Sequence, residues 1–113
     1  MPLSSRLRSL VVDDDETNNE LICRWLKDIT IPDFDPVPVH SLEAAYLAVA
    51  KETFDAVILD RMLGDGDGIE LLRHIRAHET TRHIPVVVLS GLTKENEIIR
   101  GLEIGADDYI SKP

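Results

Sequence analysis

A chain of 113 residues with 43% apolar residues is long enough for one packed core, and its formal net charge of −9 argues against direct binding to nucleic acid. No apolar run is long enough to cross a membrane, and the start, MPLSSRLRSLVVDDD, has basic residues but no apolar stretch before the acids, so it does not read as a signal peptide. Cys23 is the single cysteine, which excludes an intrachain disulfide and agrees with a reducing cytosol, so a cytoplasmic location is expected.

RSLVV is a short β-branched run and predicts a first strand. ETNNELICRWLKDI follows as a helix, with Leu21, Ile22, Trp25, Leu26 and Ile29 on one apolar face. Thr17, with Glu20 three residues on, predicts a capping box at its start. TIPDFDPVPV carries Pro36 and Pro38, which cannot donate to ladders on both sides, so a strand here lies at a sheet edge. Ser41 caps an alanine-rich helix, LEAAYLAVAKE, and DAVIL is the third strand. DGIELLRHIRAHE reads as a helix with Ile69, Leu72 and Ile75 inward and Asp67 as its N-cap. IPVVVL is the fourth strand. Thr93 caps KENEIIRGLEI, Gly105 closes that helix, and DDYIS is the fifth strand. Nothing resembles a linker or a repeat, so residues 1–113 read as one domain.

Strand and helix alternate throughout, which predicts an α/β fold: a doubly wound parallel sheet with helices on both faces. Right-handed crossovers bring the carboxyl end of every strand to one rim, where such sheets place their ligands. Onto that rim the sequence puts Asp13, Asp14 and Asp15 after strand one, Asp60 after strand three, Ser90 after strand four and Lys112 after strand five. If strands one and three are neighbours, the crowded carboxylates repel one another and favour a hard, oxygen-seeking dication such as Mg²⁺. Lys112 adds a positive charge and Ser90 a hydroxyl, which together suit a tetrahedral anion beside Asp60.

These residues resemble the receiver domain of two-component response regulators. The resemblance spans essentially the whole chain and rests on VVDD at Val11–Asp14, Asp60 at a strand end, DG at Asp67–Gly68, LSG at Leu89–Gly91 and DYISKP at Asp108–Pro113. It implies a flavodoxin-like strand order 2-1-3-4-5. It also implies that Asp60 is the phosphoacceptor, that Asp14 binds Mg²⁺ directly, that Asp13 holds the metal's water shell, and that the backbone carbonyl of Met62 is a further metal contact. Ser90 and Lys112 would hold the phosphoryl group, and Tyr109 stands where the family has an aromatic that moves inward on activation. Asp15 stands where relatives often carry Glu and takes a weaker, supporting role. The implied partners are a sensor histidine kinase or histidine phosphotransfer domain and an output domain, while the net charge and short apolar runs predict no direct contact to nucleic acid or membrane. The implied activity is signal transduction rather than enzymatic turnover.

Three departures from the family pattern stand out. Leu63-Gly64 replaces the common Met-Pro, which leaves LGDGDG less rigid than a prolyl turn. Met62 and Leu92 line the mouth of the site with apolar side chains and are expected to slow hydrolysis of an acyl phosphate. The family's fifth helix has no counterpart in these residues, so the chain reads as a receiver shortened before its last helix, or as one that forms a homodimer through the uncovered face.

Other classes leave their own marks. A haloacid-dehalogenase-like phosphatase wants a second Asp two residues after the nucleophile, where Met62 stands. A flavodoxin-type FMN carrier needs phosphate donors after strand one, where Asp13–Asp15 would repel the ligand. A receiver-like domain that only binds partners needs no phosphoacceptor site at all. In a calcium loop with Gly68 at its sixth place, Leu63 and His74 would occupy positions that require carboxylates. His74 and His78 stand one helical turn apart, as zinc pairs can, with no third ligand in view.

Overall fold

A computed structural model of the chain describes residues 6–29, 33–90, 102 and 104–111. In chain order they form β1 (Leu7–Val12), α1 (Glu16–Asp28), β2 (Phe34–Val39), α2 (Leu42–Lys51), β3 (Ala56–Asp60), the two-residue strands β4 (Met62–Leu63) and β5 (Gly66–Asp67), α3 (Ile69–Ala77), β6 (Val86–Ser90) and β7 (Asp108–Ser111). The main sheet has the order β2-β1-β3-β6-β7, with every pair parallel. Counting only its own five strands, this is the expected 2-1-3-4-5 arrangement, with β2 at an edge.

Strand parity decides the two faces. Leu10, Val12, Val57, Leu59, Val86, Val88 and Tyr109 turn to one side and join Leu42 and Ala45 of α2 and Leu71, Leu72 and Ile75 of α3 in a single buried cluster. Ser9 and Val11 turn the other way and are also fully buried, on the side where α1 packs along β1 and β2. Farther along that face, Ile58, Val87 and Leu89 are half-buried and Ile110 is 47% exposed.

Helix α1 departs from the expected face. Its buried residues are Asn19 and Cys23, flanked by half-buried Ile22 and Leu26, whereas Leu21, Trp25 and Ile29 point outward, Trp25 with 59% exposure. The cause is Asn19. Its Nδ2 donates to the carbonyls of Val11 (3.2 Å), Asp13 (3.1 Å) and Val39 (2.9 Å). These bonds fix the rotation of the helix, because a buried amide left without partners costs more than a few exposed apolar groups. The start of α1 also differs from the expected capping box. Asp15, not Thr17, is the N-cap, and its carboxylate accepts from the Asn18 N–H at 3.1 Å.

Ser41 caps α2 as expected, accepting from Ala44 N–H at 3.0 Å. At α3 the cap position belongs to Gly68 rather than Asp67. Asp67 still serves the first turn, since its Oδ1 accepts from the Ile69 N–H at 3.0 Å. Gly68 is there for space: a Cβ would stand 2.5 Å from the Asp60 carbonyl oxygen. The cap expected at Thr93 and most of the helix expected after it lie outside the described residues. Leu102 and Ile104 are helical, and Gly105 follows them with φ +125° and donates its N–H to the Leu102 carbonyl at 3.1 Å. Among the described residues, no helix is long and apolar enough to cross a membrane.

Candidate functional site

The parallel register of β1 and β3 builds the site. Val12 pairs with Leu59, so the next residues, Asp13 and Asp60, leave adjacent strands side by side on the same side of the sheet. Asp14 follows where the chain turns into α1. Carboxylate oxygens of Asp13, Asp14 and Asp60 all lie within 4.8 Å of one another. Asp13 is 1% exposed and Asp60 5%, while Asp14 is open to solvent. Three carboxylates gathered this closely can hold a metal ion, and they form the one such group among the described residues.

Two backbone groups help to orient the cluster. The Asp15 N–H donates to Asp13 Oδ1 at 2.9 Å, and the Met62 N–H donates to Asp60 Oδ1 at 3.3 Å. Asp15 contributes its backbone here, while its side chain caps α1. Asn19 adds a further restraint by holding the Asp13 carbonyl. The sequence reading did not single out Asn19, since a polar residue does not register in an apolar periodicity.

The loop after Asp60 is tied down more firmly than its glycines suggest. β4 and β5 pair antiparallel, Met62 with Asp67 and Leu63 with Gly66. Asp65 accepts from the N–H groups of Leu42 at 2.9 Å and Glu43 at 3.1 Å, which fastens the loop to the start of α2. Those two donors hold the Asp65 carboxyl below the usual carboxylate range. The Met62 side chain is 61% exposed at the edge of the site.

Ser90 is fully buried at the end of β6. Val88 pairs with Tyr109, so Ser90, two residues further on, is a diagonal neighbour of Tyr109 on the same face. Tyr109 is 7% exposed. Lys112 and Leu92 lie outside the described residues. Arg61 is the other residue the sequence reading passed over. It follows Asp60 directly, so parity sends its side chain to the opposite side of the sheet. There its Nη1 donates to the Tyr109 hydroxyl at 3.2 Å, and its Nε stands 3.4 Å from Asp67 Oδ1. A charged residue at the tip of a buried strand was the available signal, because such a group needs partners.

The histidine pair makes no metal centre among the described residues. The rings of His74 and His78 are 4.2 Å apart, and His78 Nδ1 lies 2.8 Å from the His74 carbonyl oxygen. Burial and the neighbouring His78 push the His74 pKa down.

The response regulator receiver domain family matches residues 9–113. The phosphate regulon transcriptional regulatory protein PhoB of Escherichia coli is 39% identical over 106 residues, covering 94% of this chain and 45% of PhoB. The chain thus spans less than half the length of this curated relative. The phosphorylated cyanobacterial phytochrome response regulator RcpA superposes with a TM-score of 0.85 at 28% identity, covering 96% of this chain and 82% of RcpA. The Mn²⁺-bound response regulator Rcp1 gives a TM-score of 0.85 at 26% identity, covering 95% of this chain and 81% of Rcp1. The chain therefore belongs to the response regulator receiver domain family, whose members accept a phosphoryl group on an aspartate in two-component signalling.

Proposed function

We propose that Asp60 is the aspartate that accepts the phosphoryl group, in a reaction supported by Mg²⁺. The observation that carries this reading is the convergence of the Asp13, Asp14 and Asp60 carboxylates at the carboxyl rim of the sheet. Their donor set fits the ion. It is all oxygen, the ligand type that a hard dication such as Mg²⁺ takes. Asp14 and Asp60 would hold Mg²⁺ directly with the Met62 carbonyl, and Asp13 would hold its waters. Mg²⁺, when bound, would offset the repulsion between Asp60 and an incoming phosphoryl group.

The donor is a phosphohistidine on a sensor kinase or phosphotransfer domain. An Asp60 carboxylate oxygen attacks phosphorus, the P–N bond breaks, and its electron pair stays on the histidine nitrogen, which takes up a proton. The product is an aspartyl phosphate. Ser90 and Lys112 then bind phosphoryl oxygens, and the Ser90–Tyr109 face passes the change to an output domain or partner. Met62 at the edge of the site and Leu92, two residues past Ser90 in the sequence, are apolar and would give an attacking water nothing to orient it. Residues 1–113 serve as the receiver unit, in the cytoplasm, and a second copy is a candidate partner.

Intact-mass measurement after incubation with acetyl phosphate tests the assignment. The expected result is one added phosphoryl group that requires Mg²⁺ and is lost in Asp60→Asn. Equal labelling of that variant under the same conditions would sink it.

A further inference from the structure

The receiver's aromatic Tyr109 is already inward and has a specific restraint. Its ring is buried in the cluster shared with α3, and its hydroxyl accepts from Arg61 Nη1 at 3.2 Å. Arg61 is itself only 9% exposed. The backbone holds it firmly, since its N–H donates to the Leu89 carbonyl at 3.0 Å and its own carbonyl accepts from Gly68 N–H at 2.7 Å. The other edge of the guanidinium faces Asp67, with Nε at 3.4 Å and Nη2 at 3.5 Å from Oδ2. The planar fork therefore spans from the loop to β7. Asp67 in turn accepts from the first turn of α3. A residue next to Asp60 in sequence is thus joined to the aromatic on β7 and to the start of α3.

We propose that Arg61 is a positioning residue that holds Tyr109 in its inward orientation before any phosphoryl group arrives. Asp67 keeps the guanidinium aimed. The consequence rests on the proposed role of Asp60. Phosphorylation finds the aromatic already placed, so it alters Tyr109 little, and the two states of this receiver differ less at β7 than they would with an uncharged residue at position 61. Bending the Asp60 segment moves Arg61 with it, so the latch also links the two positions mechanically.

Fluorine NMR on protein labelled with 3-fluorotyrosine tests this. The sequence has two tyrosines, Tyr46 and Tyr109, so Tyr46→Phe assigns both signals. In unphosphorylated, metal-free protein, the Tyr109 signal is expected to show almost no shift between H₂O and D₂O. In Arg61→Met it should move toward exposed fluorotyrosine and gain a solvent-isotope shift, while the Tyr46 signal stays in place. Asp67→Asn should move Tyr109 the same way by a smaller amount, and it replaces Arg61→Met if that variant does not fold. An unmoved Tyr109 signal in the variant that is read would overturn the proposal, as would equal movement of both tyrosines, which marks a general loosening. With acetyl phosphate and Mg²⁺, the change at Tyr109 should be small in the wild type and larger in Arg61→Met; equal changes would overturn the stated consequence. Loss of Asp60 labelling by mass would remove the proposed function and leave the metal-free comparison intact, so the two failures are distinguishable.

Discussion

The two rims of the sheet arrange charge differently. At the amino ends of the strands, charges are paired and polar groups are shared. Arg76 donates to the carbonyls of Gly105 (2.8 Å), Arg82 (3.0 Å) and Ile84 (2.6 Å) and meets Asp107 Oδ2 at 2.8 Å. That same oxygen accepts from the Val86 N–H at 2.7 Å. Nearby, Arg8 meets Glu52 at 2.9 Å, and its N–H donates to Asp55 at 2.8 Å. At the carboxyl ends, beside the Arg61–Asp67 pair, the Asp13, Asp14 and Asp60 carboxylates gather within 4.8 Å of one another. One rim ties connections together, and the other gathers carboxylates that could hold a metal ion. Local rules are broken where function needs it, and stability is found elsewhere.

Truncating Arg76 should give the largest stability change. Arg76→Ala leaves three carbonyls and Asp107 without their shared donor. At roughly 1 kcal/mol net per hydrogen bond, a loss of about 2–4 kcal/mol is expected. Urea denaturation should show the lower midpoint, with phosphoryl labelling of the folded protein unchanged. A variant that kept its midpoint but lost labelling would reverse the assignment of the two rims.

Next comes the split between adjacent acids. Asp14→Ala should lower Mg²⁺ affinity by more than ~10-fold, since even groups behind the metal ligands typically matter that much. Asp15→Ala should leave affinity nearly unchanged and cost about 1 kcal/mol, the worth of a helix cap. Calorimetry and urea melts on both variants check the pair, and a larger affinity loss from Asp15→Ala would shift the metal register by one residue.

The smallest effect concerns Asp65 and pH. Its carboxyl is held low by the N–H groups of Leu42 and Glu43. A depressed folded-state pKa adds stability that is fully present above the unfolded value, about 3.9, and fades as pH falls through the folded value. The stability gap between wild type and Asp65→Asn should therefore be flat near neutrality and shrink below about pH 4. Urea midpoints taken from pH 7 downward would show it, and a gap independent of pH would count against the loop clamp.

The sheet order and the meeting of Asp13, Asp14 and Asp60 were legible because they follow from simple periodicities. Apolar runs such as Val86–Leu89 mark buried parallel strands, and crossover handedness fixes which ends meet. The rotation of α1 was not legible. Leu21, Ile22, Trp25 and Leu26 offer two overlapping apolar faces, and the choice between them was made by Asn19 reaching three carbonyls from two other strands and their ends. Arg61 was hidden for a related reason. Its partners, Asp67 and Tyr109, come from a loop and from a strand 48 residues away, and no local pattern brings them together. Nor did the glycines in LGDGDG disclose that Asp65 would fasten the loop to another helix.

The prolines of β2 decide how this sheet can be extended. Pro36 pairs with Ser9 and Pro38 with Val11 across the ladder to β1. In a parallel ladder alternate residues present their N–H groups to opposite sides, and the prolines occupy the positions that would have donated outward. An extended segment approaching that margin meets carbonyls without matching donors and cannot dock as another strand. Growth by strand addition is thus blocked on the β2 side. Among the described residues, the opposite margin, β7, carries no such protection, and it is the strand that also bears Tyr109. A chain that annealed there would gain backbone hydrogen bonds directly beside Tyr109, so an added strand and the Arg61–Tyr109 contact would share the same margin of the sheet.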